Sequence, residues 1–582
     1  MSHSPSRSKY PIFDRNFFNG EEPFTVIGTG AIGGKATGLY ILKDKVLSQF
    51  PPEKFYKINL DIPRLTVIAS DYFDRFMAMN NLHEIAYSDM TDERIAHHFQ
   101  KTDLPPSILG DLQALIEKVH QPLAVRSSSL LEDAMFEPFA GIYGTKMIPN
   151  NQPDSETRFR KLVEAIKFVY ASTYFSEAKN YIGATRHSIR DEKMCVIIQE
   201  VVGLNHGERF YPDISGVGRS YNFYPTGRAK PEQGVVDIAL GLGKSIVDGG
   251  SCWTYSPAFP RAKPPYGSTK EFLKFTQNRF WSINMGKPPA YDPSKETEYL
   301  VQNGLDTADY DNVLRHLVST YNAASDRIDL GYEGSGPKLL TFAPLLDLEI
   351  IPINKCIKEL LQVCEEIIGE KVEIEFAVTL DQNLKKPARF GLLQARPMVV
   401  SHEEVNLEFD EMQGVHVLTA SENVMGNGII DDLIDIVYVK PDVFDAKNTP
   451  VIAQELERIN QNMLKQNRKY LLIGFGRWGS SDHWLGIPVN WGQISRARVM
   501  VEATLPNMYV DLSQGSHFFH NITSFQVGYF SVRHSGPYGI DWNWLDRQNV
   551  IEEMPYTRHV RVKSPLTVKL DGKNGRGVIR HG

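Results

Sequence analysis

Residues Ala31–Leu39 read AIGGKATGL, which places a glycine pair and a lysine at the start of a helical pattern. Gly33 and Gly34 allow the backbone to approach an anion closely, and the N-terminus of the following helix presents free N–H groups and the positive end of a dipole. Lys35 adds a point charge suited to a triphosphate. The stretch lacks the second glycine and the Lys-Ser/Thr pair of a Walker A loop. Taken alone, it fits an ordinary loop better than a phosphate site.

A second stretch, Leu123–Ser129, places an arginine after a short apolar strand and before three serines. The guanidinium of Arg126 matches the geometry of phosphate oxygens, and the hydroxyl of Ser127 adds a donor. A surface salt bridge explains an isolated arginine equally well. The choice between these readings depends on the rest of the chain.

Residues 372–378 and 390–395 are predicted to form two paired strands with polar residues on one face. Glu375 and Gln394 offer the hard oxygen ligands that Mg²⁺ takes alongside nucleotide phosphates. Arg396 follows Gln394 by two residues, so we expect it to reach phosphate from the same face. The alternative is the polar face of an exposed antiparallel pair that binds nothing.

Together, and in this order over residues 31–397, these stretches resemble the ATP-grasp nucleotide-binding domain of phosphoenolpyruvate synthase and pyruvate phosphate dikinase. The resemblance implies a multidomain α+β or α/β protein, with a two-lobed ATP-grasp region followed by a smaller α/β C-terminal domain. It implies ATP and Mg²⁺ as cofactors, and catalytic roles for Lys35, Arg126 and Arg396 in neutralising phosphate charge. It makes Glu375 and Gln394 the expected metal ligands.

The same resemblance extends the nucleotide site. Glu200 and Val201 end a buried strand and are expected on the adenine side, and the loop around 139–144 is expected to close over ATP. Leu240–Val247 resembles the family's glycine turn, but Lys244 stands where a glutamate is usual, so no carboxylate role is assigned there. The residues expected to bind the nucleotide are Gly33, Gly34, Lys35, Arg126, Ser127, Gln199, Glu200, Val201, Gly241 and Gly243.

The pattern along the chain predicts four parts. They are a flexible arm over 1–22, a first lobe over 23–190, a second lobe over 191–400 with an irregular insertion near 253–300, and a C-terminal α/β domain over 405–582. A long amphipathic helix is predicted over residues 157–178.

Two parts of the enzymes that the chain resembles are not found. The Thr-Ser-His signature of the swivelling phosphohistidine domain is missing, and residues 398–582 are too few for an eight-stranded barrel of about 250 residues. Synthesis of phosphoenolpyruvate by this chain alone is therefore not expected. The glycine-rich turn around Arg477 is a candidate anion site. His517 is a candidate phosphate acceptor because imidazole can act as a covalent nucleophile; a structural turn and a packing histidine are the alternatives.

Composition sets the class of protein. The chain has 582 residues and a net charge of −7, so several domains are expected and no nucleic-acid partner is evident. The four cysteines, Cys195, Cys252, Cys356 and Cys364, form no CxxC pair and are expected to be reduced thiols. The polar N-terminus and the lack of an apolar run of about 18 residues predict a cytoplasmic protein without a membrane partner. A homo-oligomer is compatible with these features.

The leading hypothesis is an ATP-dependent kinase that transfers phosphate from Mg-ATP. The acceptor is a histidine in this chain, a histidine of a partner protein, or a small molecule. An ATP-sensing module without transfer is the second hypothesis, because Lys244 replaces an acidic residue and the relay domain is missing. An ATP-grasp ligase is a third, and the order of the motifs argues against it. Whether AMP or ADP is the product stays open.

Overall fold

The computed structural model describes residues 9–582 except 131–141, 185–186, 224, 226–227, 249, 263–271, 274–275, 335, 399, 401–404, 481, 483, 507, 509–521 and 523–524. The strands up to residue 200 are β1 (Phe24–Ile27), β2 (Ile58–Asp61), β3 (Leu65–Ile68), β4 (Leu123–Ser129), β5 (Thr145–Ile148) and β6 (Met194–Glu200). The helices in this part are α1 (Gly33–Ile41), α2 (Ser70–Met79), α3 (His83–Ala86), α4 (Asp92–Gln100), α5 (Pro106–Lys118), α6 (Ser155–Ser172) and α7 (Ser176–Ala184).

The strands between residues 201 and 400 are β7 (Leu204–Asn205), β8 (Arg209–Tyr211), β9 (Ile214–Arg219), β10 (Val235–Ala239), β11 (Trp253–Tyr255), β12 (Arg279–Asn284), β13 (Leu300–Gly304), β14 (Val318–Asn322), β15 (Arg327–Leu330), β16 (Lys338–Leu340), β17 (Val372–Thr379) and β18 (Ala388–Pro397). The helices in this part are α8 (Lys244–Val247), α9 (Leu305–Tyr310), α10 (Ala343–Leu346) and α11 (Ile353–Ile368).

The strands from residue 405 onward are β19 (Val417–Ser421), β20 (Val424–Met425), β21 (Asn427–Val439), β22 (Tyr470–Phe475), β23 (Arg477–Trp478), β24 (Gly486–Ile487), β25 (Ala497–Ala503), β26 (Gly528–Val532), β27 (Asn549–Glu553), β28 (Thr557–Asp571) and β29 (Arg576–Arg580). The helices in this part are α12 (Thr449–Lys465), α13 (Trp491–Ile494) and α14 (Trp542–Leu545).

The first sheet has the strand order β1-β3-β6-β4-β5, in which β1 and β3 are parallel and the other neighbours are antiparallel. Strands β1, β3 and β6 are short apolar runs that are buried along their whole length. The core beside this sheet includes Phe73 and Phe76 of α2, Phe99 of α4 and Leu112 of α5. Because its strands are covered, they read as continuous rather than alternating apolar sequence.

The second sheet has the order β11-β10-β9-β17-β18-β2, antiparallel except for the β18–β2 pair. Helix α11 contributes Ile357 and Leu360 to the same core as Ile374 and Phe376 of β17. Since side chains alternate along a strand, Glu373 and Glu375 lie on the opposite face from that core. Two smaller sheets, β13-β12-β8-β7 and β15-β14-β16, flank this unit.

The expected boundary near residue 190 does not follow the sheets. Strand β6 follows residue 190 in the sequence but lies between β3 and β4 in the first sheet. Strand β2 precedes residue 190 but forms an edge of the second sheet. The described part of the expected N-terminal arm also packs: Ile12 bridges to Val26, and Phe13 and Phe18 are buried.

The predicted helix over 157–178 is two helices, α6 and α7. The last turn of α6 tightens, because the N–H of Tyr174 donates to the carbonyl of Ala171 at 2.9 Å. A carboxylate from α4 then starts α7: Asp92 accepts hydrogen bonds from the N–H and the hydroxyl of Ser176 at 2.7 and 2.9 Å. This cap comes from 84 residues away in the chain, so local periodicity does not reveal it.

The expected irregular insertion near 253–300 contains regular structure. Strand β11 forms the edge of the second sheet, and β12 pairs with both β8 and β13. All four cysteines are free thiols, with Cys252 half-buried and the others buried, which agrees with the expectation from their spacing. Among the helices of the described segments, none has the length and apolar character needed to cross a membrane.

The third large sheet, after residue 405, has the order β19-β29-β28-β21-β22-β25-β26-β20, with β27 added on β28. Strands β21, β22, β25 and β26 run parallel, and α12 provides the connection from β21 to β22. This unit shares a core with the first sheet through α7. Trp491 of α13 stacks on Phe525, whose ring meets Tyr181 of α7 edge-on at 5.5 Å.

Candidate functional site

Helix α1 lies between the first and second sheets and contacts both. On one side, the hydroxyl of Ser128 in β4 donates to the carbonyl of Ile32 at 2.8 Å and accepts from the N–H of Ala36 at 3.0 Å. On the other side, a Cβ added at Gly38 would lie 3.5 Å from the carbonyl oxygen of Ala395 in β18. The N-terminal part of α1 therefore lies between β4 and β18, and the region that these three elements border is called the cleft.

Gly33 is required where α1 starts. Its φ of +76° is a left-handed value, and a Cβ at this position would lie 1.9 Å from the carbonyl oxygen of Ser128. This close approach allows the turn at Gly33 to pack directly against β4. Lys35 then reaches the same strand, because its Nζ donates to Ser127 Oγ at 3.3 Å.

Arg126 joins the two sheets across the cleft. From β4, its Nη1 donates to Gln199 Oε1 in β6 and to the carbonyl of Leu393 in β18, each at 3.3 Å. Its Nη2 donates to Gln394 Oε1 at 2.8 Å and lies 3.7 Å from Glu375 Oε2. The side chain of Arg126 is 14% exposed, so these interactions are only weakly screened by water.

Glu375 and Gln394 are direct cross-strand partners at the point where β17 shifts register against β18. Their side chains leave the same face of the sheet, and that of Glu375 is 17% exposed. A carboxylate and an amide oxygen are suitable protein ligands for Mg²⁺ when phosphates supply further oxygens. No group of three or more His, Cys, Asp and Glu side chains forms a metal cluster within the described segments. The metal candidate is therefore this two-ligand set.

Arg396 has a different environment from the one expected. It is buried beside Glu373, its direct cross-strand partner, and its Nε donates to Glu373 Oε1 at 2.9 Å. The other carboxylate oxygen of Glu373 accepts from Arg219 Nε at 2.7 Å. The guanidinium thus lies on the predicted face, but it is bonded there to a carboxylate.

The last two residues of β6, and Val201 directly after it, have three different environments. Gln199 faces the cleft and accepts from Arg126, whereas the carboxylate of Glu200 is held by Arg64 at 2.8 and 3.0 Å. Val201 joins a small apolar cluster beside the cleft. Its buried members are Ala124, Val201, Phe210, Leu242 and Ile283, and Met147, Trp281, Met285 and Leu300 pack against them half-buried.

The glycine turn after β10 is held against that apolar cluster. Gly241 has a φ of +80°, and its carbonyl accepts from Ser215 Oγ at 2.6 Å. Gly243 precedes α8, where Lys244 forms an ion pair with Asp248 at 2.9 Å. Burial by itself lowers the pKa of Lys244, but the carboxylates of Asp248 and Glu296 outweigh it and raise that pKa. This position therefore carries a firmly held positive charge.

The glycine-rich turn of the C-terminal unit is compact. Gly476 and Gly479 have positive φ, and Trp478 between them is buried with its Nε1 donating to the carbonyl of Val501 at 3.4 Å. Arg477 lies within electrostatic reach of Cys252, which directly precedes β11 of the second sheet. Burial and the charge of Asp237 raise the pKa of that thiol to about 12, and Arg477 opposes the rise.

Several expected residues cannot be placed. His517, the candidate acceptor, lies outside the described residues, as do residues 139–141 of the loop expected to close over ATP. The structure instead adds Arg219 and Asp237, which sequence reasoning missed. Their only signal is a charged residue in each of two otherwise apolar strands, ISGVGR and VVDIA.

The family model described as "Pyruvate phosphate dikinase, AMP/ATP-binding domain" matches residues 29–414. The matched span contains the glycine turn of α1, the arginine of β4 and the polar faces of β17 and β18, which together line the cleft. A comparison with curated proteins found no match. Because the family match covers more than half of the 582 residues, the chain belongs to the family of the pyruvate phosphate dikinase AMP/ATP-binding domain.

Proposed function

We propose that the chain is an ATP-dependent phosphotransferase that binds Mg-ATP between the first and second sheets, which act as the two lobes of an ATP-grasp site. The position of Arg126 carries this proposal. Its guanidinium bonds to Gln199 of one sheet and Gln394 of the other, and lies 3.7 Å from Glu375. A cation, a carboxylate and two amides from distant segments thus meet at one point, which suits a metal-bound triphosphate.

Metal and nucleotide binding are expected to be coupled through Arg126. Its Nη2 is bonded to Gln394 and faces Glu375, the two residues proposed to hold the metal. When these oxygens turn to a cation, they release the guanidinium for phosphate. Bound Mg²⁺ supplies charge neutralisation of the triphosphate. Lys35 provides a second cation at the helix N-terminus, on the floor of the same cleft.

The apolar cluster around Val201 is the proposed adenine side. Leu242, from the glycine turn, and the half-buried Trp281 and Met147 surround it. The backbone N–H of Val201 already donates to the carbonyl of Pro122 at 2.9 Å. Recognition of the base is therefore expected to rest on apolar contact and on carbonyl acceptors, with Gly241 and Gly243 shaping the wall of the pocket.

Catalysis is expected to come from positioning and electrostatics. Arg126 and Lys35 face charge that spreads over the transferred phosphoryl group, from positions that β4 and α1 fix. Arg396 lies on the same strand face as Gln394, where Glu373 balances its charge. The acceptor is His517, a histidine of a partner protein, or a small anion bound near Arg477. Each of these acceptors is a proposal.

Phosphorus NMR of the full chain with Mg-ATP, followed by intact-mass measurement, tests this function. Consumption of ATP together with added phosphate on the protein supports transfer to a histidine. Consumption with an unmodified protein supports transfer to water or to a small acceptor. A chain that binds Mg-ATP saturably and leaves it unchanged, with and without candidate acceptors, refutes the transferase.

A nucleotide sensor is the second candidate function. The observation that favours it is Lys244, whose ion pair with Asp248 places a positive charge beside the glycine turn where related enzymes commonly have a carboxylate. A sensor predicts saturable Mg-ATP binding, no consumption, and a change in protease sensitivity on binding. The NMR measurement separates the two functions.

A further inference from the structure

A row of four charged side chains crosses the second sheet beside the candidate metal ligands. Asp237 of β10, Arg219 of β9, Glu373 of β17 and Arg396 of β18 lie on four neighbouring strands and alternate in sign. Their exposed fractions are 1, 8, 2 and 4%. We propose that Arg219 is a positioning residue of the site: it holds Glu373 as the anchor of Arg396 and keeps this carboxylate away from the metal. The inference rests on the proposed function.

Each oxygen of Glu373 is held by a different arginine. Arg219 Nε donates to Oε2 at 2.7 Å, and Arg396 Nε donates to Oε1 at 2.9 Å. Arg219 is fixed in turn, because its Nη1 donates to Asp237 Oδ2 at 2.8 Å. The Glu373 carboxylate therefore cannot rotate without breaking a charge-assisted hydrogen bond in a buried place.

This carboxylate is the natural competitor for the metal. Glu373 precedes Glu375 by two residues on the same strand face, which separates them by about 7 Å along the strand. Two carboxylates at that spacing can share one hard cation, and the number of charged ligands tunes metal affinity. By holding Glu373, Arg219 limits the proposed metal site to Glu375 and Gln394.

A purely stabilising role does not account for the row. Buried ion pairs commonly contribute no more stability than apolar side chains of similar volume. The row is also not optimised for hydrogen bonding, since Nη2 of Arg219 is buried and has no hydrogen-bond partner within the described part of the chain. Within the row, Glu373 and Arg396 lie two residues along their strands from Glu375 and Gln394. A positioning role explains this location.

The test removes the outer pair together, as Arg219→Met with Asp237→Leu. With both of these charges removed, Glu373 and Arg396 still form an ion pair without net charge. No buried charge is therefore left without a partner of opposite sign. Mn²⁺ binding to the full chain with β,γ-imido ATP is followed by electron paramagnetic resonance, and folding by thermal unfolding. We expect Mn²⁺ to bind about fivefold more tightly, because Glu373 becomes available as a ligand, and turnover of Mg-ATP to fall about tenfold, because Arg396 loses its fixed place.

The matched control is Arg209→Met with Asp311→Leu. It removes a half-buried bidentate pair, at 2.7 and 3.0 Å, outside the second sheet. Wild-type Mn²⁺ affinity in the control and tighter Mn²⁺ binding in the Arg219/Asp237 variant support the inference. Wild-type or weaker affinity in a folded Arg219/Asp237 variant overturns it.

A single Arg219→Lys variant covers the case in which the double variant fails to fold. Lysine keeps the charge but, as a point donor, cannot hold Glu373 and Asp237 with a planar fork. Tighter Mn²⁺ binding is again expected, and an unchanged affinity contradicts the inference. Failure of the wild type to consume ATP refutes the transferase instead, while the Mn²⁺ comparison still decides the role of Arg219.

Discussion

Arg126 is the residue on which nucleotide affinity should depend most. Replacing it with methionine removes charge-assisted hydrogen bonds to phosphate, each of which contributes about 1.5–3 kcal/mol. We therefore expect Arg126→Met to weaken Mg-ATP binding about 10- to 100-fold in calorimetric titration. Arg389→Met is the control, because Arg389 lies on β18 in a half-exposed pair with Asp61. Equal affinity of the Arg126 variant and the control would remove Arg126 from the site.

Glu375 should control the metal dependence rather than the fold. Its side chain is partly exposed and lies 3.7 Å from the guanidinium of Arg126, so Glu375→Gln is expected to unfold at nearly the wild-type temperature. We expect the variant to lose most of the stimulation of ATP binding by Mg²⁺. Asp329→Asn, on the exposed strand β15, is the control. Unchanged Mg²⁺ dependence in Glu375→Gln contradicts its assignment as a ligand.

At the level of single residues, the sequence predicts best on which face of a strand a side chain lies. Glu375 and Gln394 were expected on one face, and they are direct cross-strand partners. Arg396 was expected to reach phosphate, but the structure pairs it with Glu373. Alternation along a strand fixes the face of a side chain but not which of several nearby groups it bonds to.

Gly33 is the single position in α1 where an added methyl group is expected to do most harm. A Cβ there would meet the carbonyl of Ser128 at 1.9 Å, and φ is +76°. Gly33→Ala should therefore lower the unfolding temperature and weaken Mg-ATP binding, because strain at such a position costs roughly 1–3 kcal/mol. Both effects are read from a thermal scan with and without Mg-ATP.

Gly183→Ala in α7 is the matched control for that variant. Among the residues that the structure describes, no heavy atom lies within 4 Å of a Cβ added at Gly183. Alanine in a helix is favoured over glycine by about 1 kcal/mol, so this variant should be neutral or slightly more stable. Similar losses in both variants would mean that the turn of α1 has no special geometry.

The elements that sequence reasoning missed depend on distant partners. The helix predicted over 157–178 breaks because Asp92 caps Ser176 from another helix. The expected irregular segment near 253–300 contributes β11, an edge strand that forms only against β10. Short strands of this kind gain their stability from the sheet, so their local sequence predicts them poorly.

At the scale of the whole molecule, acid stability should depend on Asp435 in the C-terminal sheet. Burial opposes its ionisation, but hydrogen bonds from His559, Arg561 and Arg468 outweigh burial and lower the pKa to about 2. An acid with a lowered pKa contributes stability above its unfolded pKa of about 4, and that contribution is lost as the pH falls towards 2.

Asp435→Asn tests this dependence. The free energy of unfolding should differ most between wild type and variant above about pH 4, and the difference should shrink towards pH 2. Asp546→Asn is the control, since Asp546 pairs with Arg558 but is 60% exposed. A difference between wild type and Asp435→Asn that does not change with pH contradicts the account.

The order of the motifs predicts the family and the mixed α/β character. It does not predict how the chain is divided between the first and second sheets. Strand β6 joins the first sheet from beyond residue 190, and β2 joins the second sheet from before it. Exchanges of this kind arise from tertiary pairing between distant segments, which no local change in composition marks. The acceptor stays a proposal because His517 lies outside the described residues.

The central claim is that Mg-ATP binds in the cleft between the first and second sheets. A crystal structure of the full chain with Mg²⁺ and β,γ-imido ATP tests it most directly. The account predicts the metal on Glu375 and Gln394, the phosphates against Arg126 and Lys35, and the base beside Val201. A nucleotide bound elsewhere, or a metal that contacts neither Glu375 nor Gln394, would contradict the account.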